Sequence, residues 1–298
     1  MIEHEIMHSG YIAIVGRPNV GKSTLLNSLL QQKISITARK PQTTRHRILG
    51  IKTVANNQLI FVDTPGIEHR GKHALNRYMQ QTVTSVLSEV DIVVFVVDGL
   101  IWKPDDEAIL QMLKQIKLPV MLVINKIDTI KNKNLLLPYI QEVTKKHDFV
   151  EIIPLSAKNH TSVSVLEEKI IAALPPGPFF FPEEQVTDRD ERFLVAEIIR
   201  EKLTRLLGEE VPHELTVAVE SFVTEEKIVR ISAVIYVEKP GQKLIVIGAA
   251  GSKLKEVGTK ARLDIEKMIG KKVFLQLWVK VKTGWSDSEN TLRNLGYK

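Results

Sequence analysis

The sequence predicts an α/β domain, a mostly parallel sheet with helices on both faces, followed by an α+β domain of different element order. Three observations carry this. Between residues 11 and 173 short apolar runs alternate with stretches of helical period, the pattern of parallel strands joined by crossover helices. Residues 175–182 (PPGPFFFP) hold four prolines and a glycine, which stiffen the chain and stop regular structure. Beyond them the order changes to helix, strands, helix, strand and helix. The 298 residues fit two domains at roughly 100–200 residues each. We expect a first domain over 1–174, a linker over 175–187 and a second domain over 188–298.

In order, 11–15 is an apolar strand entering a glycine-bearing turn at 16–23, and 24–31 has helical period. Residues 33–47 are polar and read as a loop. Strands are expected over 48–54 and 58–62, the second ending at Asp63-Thr64-Pro65-Gly66. Helices at 75–87, 105–116, 135–146 and 164–173 alternate with strands at 92–97, 120–124 and 150–153, Pro104 marking one helix start. Phe179, Phe180 and Phe181 are too apolar for a free linker and should pack on one domain. After the break come a helix at 191–207, strands at 215–222 and 227–237, an apolar run at 243–247 read as a strand, helices at 252–268 and 287–295, and a strand at 273–281.

Composition excludes several classes. With 44% hydrophobic and 26% charged residues the chain is neither collagenous nor low-complexity. Having no cysteine, it holds no disulfide, thiolate zinc site or cysteine nucleophile. No apolar run reaches the roughly 18–20 residues that span a bilayer, and the opening MIEHEIMHSG is not a signal peptide. A cytoplasmic location is therefore expected. The net charge is +6, but 239–298 carries 13 Lys+Arg against 5 Asp+Glu, a net of +8, leaving −2 for the rest. A basic end suits nucleic acid or an anionic membrane.

Four short motifs carry chemistry, each expected at a strand end. Gly16 to Ser23 fits G-x-x-x-x-G-K-[ST] between a strand and a helix. There Gly16 and Gly21 let backbone N–H groups cradle phosphates, Lys22 reaches the β- and γ-phosphates, Ser23 offers a hydroxyl to Mg²⁺ and Thr24 opens the helix. In Asp63-Thr64-Pro65-Gly66, Asp63 is placed to hold Mg²⁺ and Gly66 to bring its N–H to the γ-phosphate. Asn125-Lys126-Ile127-Asp128 selects the base: the Asp128 carboxylate can accept from N1–H and the exocyclic amine of guanine, a pair adenine lacks. Asn125 would brace the loops and the Lys126 stem cover the base. Ser156, Ala157 and Lys158 would close the pocket. In the polar loop 33–47, Thr43 and Thr44 are adjacent candidates to close on Mg²⁺ and the γ-phosphate. Ile67, following Gly66, cannot hydrogen-bond a water, so hydrolysis should be slow unless another group places it.

In the basic end, Gly248-Ala249-Ala250-Gly251 is a G-x-x-G followed by Lys253 and Lys255. Such a turn lets a nucleic-acid backbone approach closely, as in KH domains. Trp278 and Trp285 are read as packing anchors, and His46 and His69 as solvated loop histidines rather than general bases.

The four nucleotide motifs together resemble translation-factor-related P-loop GTPases. With the G-x-x-G, the run Gln42-Thr43-Thr44-Arg45-His46-Arg47, and Leu277-Trp278-Val279-Lys280-Val281-Lys282 leading to Gly284-Trp285, nearly the whole chain resembles the bacterial Era family. That resemblance implies a G domain joined to a KH domain and a slow GTPase using GTP/GDP and Mg²⁺. It favours Thr44 as the metal-binding threonine and implies K⁺ beside the phosphates at Asn19. It also implies binding to the 3′ region of 16S ribosomal RNA, a role in small (30S) subunit maturation, and peripheral contact with the inner membrane. A monomer is expected because no coiled coil is evident. Where that family often carries a basic residue inside G-x-x-G, this chain has Ala249 and Ala250, so phosphate contacts fall to backbone N–H groups, Lys253 and Lys255. The competing reading is a signalling GTPase whose basic end binds anionic lipid, which would not need the G-x-x-G.

Overall fold

A computed structural model describes residues 6–38, 40, 43–66, 74–207 and 214–297. Gln42, Ile67 and His69, singled out above, lie outside the described residues. The chain forms two units. One comprises Met1–Ser35, Thr44–Gly71 and Met79–Asp188; the other comprises Ile36–Thr43, Lys72–Tyr78 and Arg189–Lys298.

The first unit is built on a six-stranded sheet. Its elements run β1 (His8–Val15), α1 (Lys22–Leu30), β2 (Ile48–Val54), β3 (Asn57–Asp63), β4 (Ile92–Asp98), α3 (Pro104–Leu113), β5 (Val120–Asn125), α4 (Leu136–Thr144), β6 (Glu151–Pro154) and α5 (His160–Ala173), with α2 (Ala74–Leu87) between β3 and β4. The strand order is β2-β3-β1-β4-β5-β6, and only the β2–β3 pair is antiparallel. Residues 92–97 of β4 are buried without interruption, as in a strand covered by helices on both faces. The parallel register pairs Ile14 with Asp63, Asp98 with Asn125 and Ile124 with Pro154. The carboxyl ends of β1, β3, β4, β5 and β6 thus line one edge, where open α/β sheets bind ligands.

The proline-rich stretch is fastened to this unit. Phe180 and Phe181 N–H both donate to Gln58 Oε1, at 2.8 and 3.0 Å, and Gln58 Nε2 donates to the Phe181 carbonyl at 2.8 Å. The Phe180 ring lies 5.3 Å from that of Tyr11. Ile51 N–H donates to the Val186 carbonyl. Backbone groups that proline leaves free are satisfied by a buried glutamine.

The second unit contains α6 (Glu191–Leu206), β7 (Leu215–Thr224), β8 (Ile228–Val237), α7 (Pro240–Ile247), α8 (Ser252–Ile269), β9 (Lys272–Val281) and α9 (Glu289–Asn294). Its sheet has the order β7-β8-β9, antiparallel then parallel. The core joins Val195, Ile199 and Leu203 of α6, Val246 of α7, Val257, Ala261 and Ile265 of α8, and odd-numbered residues of β8 and β9.

Three expectations change here. The run 243–247 is not a strand but the body of α7. Pro240 opens it, and Gln242 Oε1 accepts from Glu238 and Lys239 N–H at 2.9 Å. Only Val246 of that run is fully buried, while Leu244 is 72% exposed; a short apolar run does not by itself separate the two periods. Second, Trp285 is an anchor, fully buried with Nε1 donating to the Glu214 carbonyl at 3.3 Å, but Trp278 is 59% exposed. Third, His46 is buried, because 44–46 turn inward as the chain enters β2. Among the described residues, no helix is long and apolar enough to cross a membrane.

The loop 33–47 divides between the units. Within the second unit, Thr37 N–H donates to the buried Glu201 carboxylate of α6 at 3.1 Å, and Arg205 donates twice to the Thr37 carbonyl, at 3.0 and 2.8 Å. Arg200, paired with Glu197 at 2.6 Å, donates to the Thr43 carbonyl.

Candidate functional site

The turn from β1 into α1 closes without side-chain bulk. A Cβ on Gly16 would stand 2.4 Å from the Val96 carbonyl oxygen, and one on Gly21 (φ 103°) would stand 2.3 Å from Asn125 Nδ2. Both positions therefore need glycine. Lys22 is buried and donates to the carbonyls of Gly16 (2.9 Å) and Arg17 (3.1 Å), so its ammonium lies across the mouth of the turn. Thr24, half-buried, continues the first turn of α1. Asn19 is exposed at φ 65°.

Ser23, Thr44 and Asp63 meet beside this turn. Ser23 Oγ lies 2.8 Å from Thr44 Oγ1 and 3.0 Å from Asp63 Oδ2; Thr44 Oγ1 lies 3.3 Å from the same carboxylate oxygen. Thr43 turns away, its hydroxyl donating to the Lys40 carbonyl at 2.6 Å. Ser35, which carries no signal in the sequence, also donates to Asp63 Oδ2, at 2.7 Å. Burial pushes the Asp63 carboxyl above its ordinary range, against hydrogen bonds from Ser35, Ser23 and Thr44 and the charge of Lys22. Its Oδ1 is buried without a hydrogen-bond partner among the described residues. A buried carboxylate with one oxygen orphaned and the other shared by the Ser23 and Thr44 hydroxyls is an oxygen-only donor set for a hard divalent cation, so these residues fit Mg²⁺. Gly66 follows, so close to Pro18 that a Cβ would meet its nitrogen at 2.9 Å.

At the end of β5, the buried Asn125 ties three loops together. Its Nδ2 donates to the Val20 carbonyl at 2.7 Å, and its Oδ1 accepts from Lys126 N–H at 2.8 Å and Ala157 N–H at 2.9 Å. Lys126, at φ 61°, sends Nζ back to the Asn19 carbonyl (2.6 Å) and Asp98 (2.8 Å), laying its stem between the two loops. Asp128 and Lys158 are exposed, and Ser156 and Ala157 are buried. A hydrogen bond from Ser156 holds the Asp128 carboxyl below its ordinary range. A persistent carboxylate therefore faces solvent beside the buried Ser156, an acceptor of the kind a paired-donor base edge would meet.

A lock beneath the turn has no motif to announce it. Arg17 Nε donates to Asp106 Oδ2 at 2.9 Å, both side chains being buried, and Arg17 Nη2 lies 3.8 Å from Asp98 Oδ2. Asp106 also caps α3 by accepting from Lys103 N–H at 2.9 Å. Burial raises the Asp106 carboxyl above its ordinary range despite that hydrogen bond and the Arg17 charge. Asp98, shared with Lys126, links this lock to the base loop.

In the second unit, Gly248 to Gly251 form the tight link between α7 and α8. Gly248 (φ 73°) packs on Lys253, whose Cγ a Cβ would meet at 2.8 Å, while Gly251 (φ 78°) faces open space. Ala249 and Ala250 are exposed, Ala250 at φ 48°. Lys253 and Lys255 project from the first turns of α8 into solvent. Leu244 and Ile245 are exposed just before the turn, giving a basic and apolar rim that the strand expectation conceals.

A family model described as 50S ribosome-binding GTPase matches residues 11–126, and one described as KH domain matches 210–286. The chain is 57% identical over 291 residues to GTPase Era of Coxiella burnetii, covering 98% of each protein. It is 53% identical over 298 residues to GTPase Era of Histophilus somni, covering 100% of this chain and 99% of the relative. Among solved structures, Era in complex with MgGDPNP and nucleotides 1506–1542 of 16S ribosomal RNA superposes with a TM-score of 0.94 at 42% identity, over 98% of this chain and 99% of that one. A single-residue variant of Aquifex aeolicus Era bound to GDP·AlF4⁻ superposes with the same TM-score, identity and coverage. A P-loop GTPase sheet, a KH domain and full-length identity above half leave one conclusion: the chain belongs to the Era family of GTPases.

Proposed function

We propose that this chain binds GTP with Mg²⁺, hydrolyses it slowly to GDP and phosphate, and through its KH domain binds 16S ribosomal RNA to assist maturation of the small subunit. The observation that carries the nucleotide reading is the meeting of Ser23, Thr44 and Asp63, with its orphaned Oδ1, beside a phosphate turn crossed by Lys22. The RNA reading is supported by the solved relative with bound 16S nucleotides and by the exposed turn 248–251 with Lys253 and Lys255.

In this reading the N–H groups of 16–23 and the Lys22 ammonium hold the phosphates. Ser23, Thr44 and Asp63 hold Mg²⁺, which when bound neutralises charge on the β- and γ-phosphates. Asp128 reads guanine, with Ser156, Ala157 and Lys158 closing the pocket, and Asn19 offers an exposed oxygen to K⁺. Thr37 and Thr43 are held by α6, and Thr43 directly precedes Thr44, so closing Thr44 on metal pulls on a segment that α6 holds. The G domain spans 1–174, the stretch 175–187 connects, and the KH domain spans 188–298. The acting form is a monomer on the 30S subunit, with peripheral contact at the inner membrane from the cytoplasmic side.

The test is binding of an oligonucleotide from the 3′ end of 16S RNA, with GTP analogue, GDP or no nucleotide, at two salt concentrations. A scrambled oligonucleotide and Gly251→Asp serve as controls. Selective, nucleotide-dependent binding lost in the variant supports the reading. Equal binding to both sequences, falling steeply with salt, reduces the basic end to a nonspecific patch and favours the lipid alternative, checked by sedimentation with anionic vesicles.

A further inference from the structure

The β7–β8–β9 sheet has two faces with different contents. Odd-numbered residues of β8 and β9, including Ile231, Ala233, Ile235, Val273 and Val279, are buried beneath α6 and α8. Side chains alternate along a strand, so the even-numbered residues stand on the opposite face. There Trp278 is 59% exposed and Phe274 44% exposed. A ring is among the most costly side chains to leave in water, and two on one strand face need a reason.

Their neighbours supply it. The register sets Arg230 beside Phe274, Ser232 beside Gln276, the fully buried Val234 beside Trp278, and Tyr236 beside Lys280, so the exposed strip runs along β9. The Arg230 guanidinium lies over the Phe274 ring at 5.5 Å and the Lys282 ammonium over the Tyr236 ring at 5.4 Å. Lys272 and Lys280 are exposed at the two ends of the strand. Among the described residues, Glu225 pairs with Arg230, Glu220 with Lys280, and Glu266 interacts with Lys272, so four cations face three carboxylates and the face stays net positive. Four residues of strand put the Phe274 and Trp278 rings about 13 Å apart, with the exposed Gln276 amide between them.

Stacking rings, a hydrogen-bonding amide and flanking cations on the exposed edge strand β9 match the needs of single-stranded RNA. A protein partner would favour a continuous apolar patch, whereas here charged groups alternate with the rings. We propose that this sheet face, centred on Trp278 and Phe274, is a second single-stranded RNA contact. It is separate from the turn 248–251, whose helices α7 and α8 pack on the other side of the sheet. The inference rests on the RNA-binding reading above and makes the interface two-sided: one segment of strand is held at the turn and another is stacked on the sheet.

The test uses the full chain with GTP analogue and two probes, the RNA segment of the solved relative (nucleotides 1506–1542) and short single-stranded pieces of it. Trp278→Ala and Phe274→Ala should each weaken the long RNA by ~10-fold, the usual worth of one base–aromatic stack, with Trp278→Phe restoring most of the loss. At least one short piece should bind at the turn, insensitive to both variants and lost in Gly251→Asp. RNA should quench the Trp278 part of the emission, read as wild type minus Trp278→Phe. Because both rings are exposed, unchanged melting temperatures should accompany these effects. Full-strength long-RNA binding by the double variant overturns the inference and leaves the RNA-binding reading intact; no RNA binding by the wild type overturns both. Loss of vesicle or whole-subunit binding with RNA affinity unchanged assigns the face to lipid or protein and likewise overturns it.

Discussion

Asp106→Ala is the sharpest probe of how the phosphate turn is held. The change leaves the Arg17 guanidinium buried beside only Asp98, at 3.8 Å, and removes the acceptor of Lys103 N–H at the start of α3. Breaking a buried pair by removing one partner costs about 3–5 kcal/mol. Asp98 recovers part of that, and the lost cap adds about 1 kcal/mol, leaving an expected loss of about 3–4 kcal/mol. For a unit of this size each kcal/mol lowers the melting temperature by about 2–4 °C, so the nucleotide-free protein should melt roughly 6–16 °C earlier. The Arg17 carbonyl, which accepts from Lys22, then loses its fixed position, and affinity for a fluorescent GDP should fall together with stability. The double variant Arg17→Met/Asp106→Leu should recover most of the stability, since an apolar replacement of a buried pair is often neutral. Calorimetry without nucleotide and a GDP titration read both effects. A single variant melting within about 2 °C of wild type would refute the lock.

Three further outcomes are expected. Thr44→Ala should weaken a GTP analogue with Mg²⁺ by ~10-fold and leave GDP nearly unchanged, while Thr43→Ala changes neither; equal effects of the two in a nucleotide titration would remove Thr44 from the metal site. Asn125→Ala leaves Val20 C=O and Ala157 N–H unpaired in a buried setting at about 1–3 kcal/mol each, so the melting temperature should fall and guanine nucleotide affinity drop with it. The third is a pH contrast. Asp106 has a raised folded pKa, so the proton-linked part of its contribution is fully present below 3.8 and fades as pH rises through the folded value, while the pairing with Arg17 and the cap remain; wild type should gain on Asp106→Asn as the solution is acidified. Glu266, which accepts from Val273 N–H and Arg262, has a lowered one, so its contribution exists above 4.5 and is lost as pH falls; wild type should converge on Glu266→Gln in acid. Melting curves of the three proteins across that range check the opposite slopes.

What the sequence makes legible is local. Gly16, Gly21, Lys22 and Ser23 sit in one short turn whose backbone chemistry is set by residue type, and the four motifs stand at strand ends because the parallel register aligns those ends. What stays hidden is of another kind. The run 243–247 is ambiguous because five apolar-rich residues satisfy either period, and Pro240 with Gln242 decides for helix through capping that lies just outside the run. Ser35, Asp98 and Asp106 are invisible because each is an ordinary polar residue whose role depends on a partner 28, 28 or 89 positions away. Trp278 defeats the packing-anchor reading because hydrophobicity gives the affinity of a ring for burial without saying which sheet face is covered.

These long-range contacts share a consequence. Asp106 holds Arg17, Asp98 stands between Arg17 and Lys126, Lys126 reaches the Asn19 carbonyl, and Asn125 holds the Val20 carbonyl and Ala157 N–H. The turn is therefore joined at Arg17, Asn19 and Val20 to the segments that follow β4, β5 and β6. In the proposed reading, a base without guanine's paired donors leaves the Asp128 carboxylate oxygens without partners, and the connected carboxylates and amides leave the phosphate turn little freedom to compensate by shifting. On that proposal selectivity for guanine would come from the stiffness of this network as much as from Asp128, and loosening Asp98 or Asn125 should lower discrimination between bases, measured as the ratio of GDP to ADP affinity in each variant; an unchanged ratio would refute it.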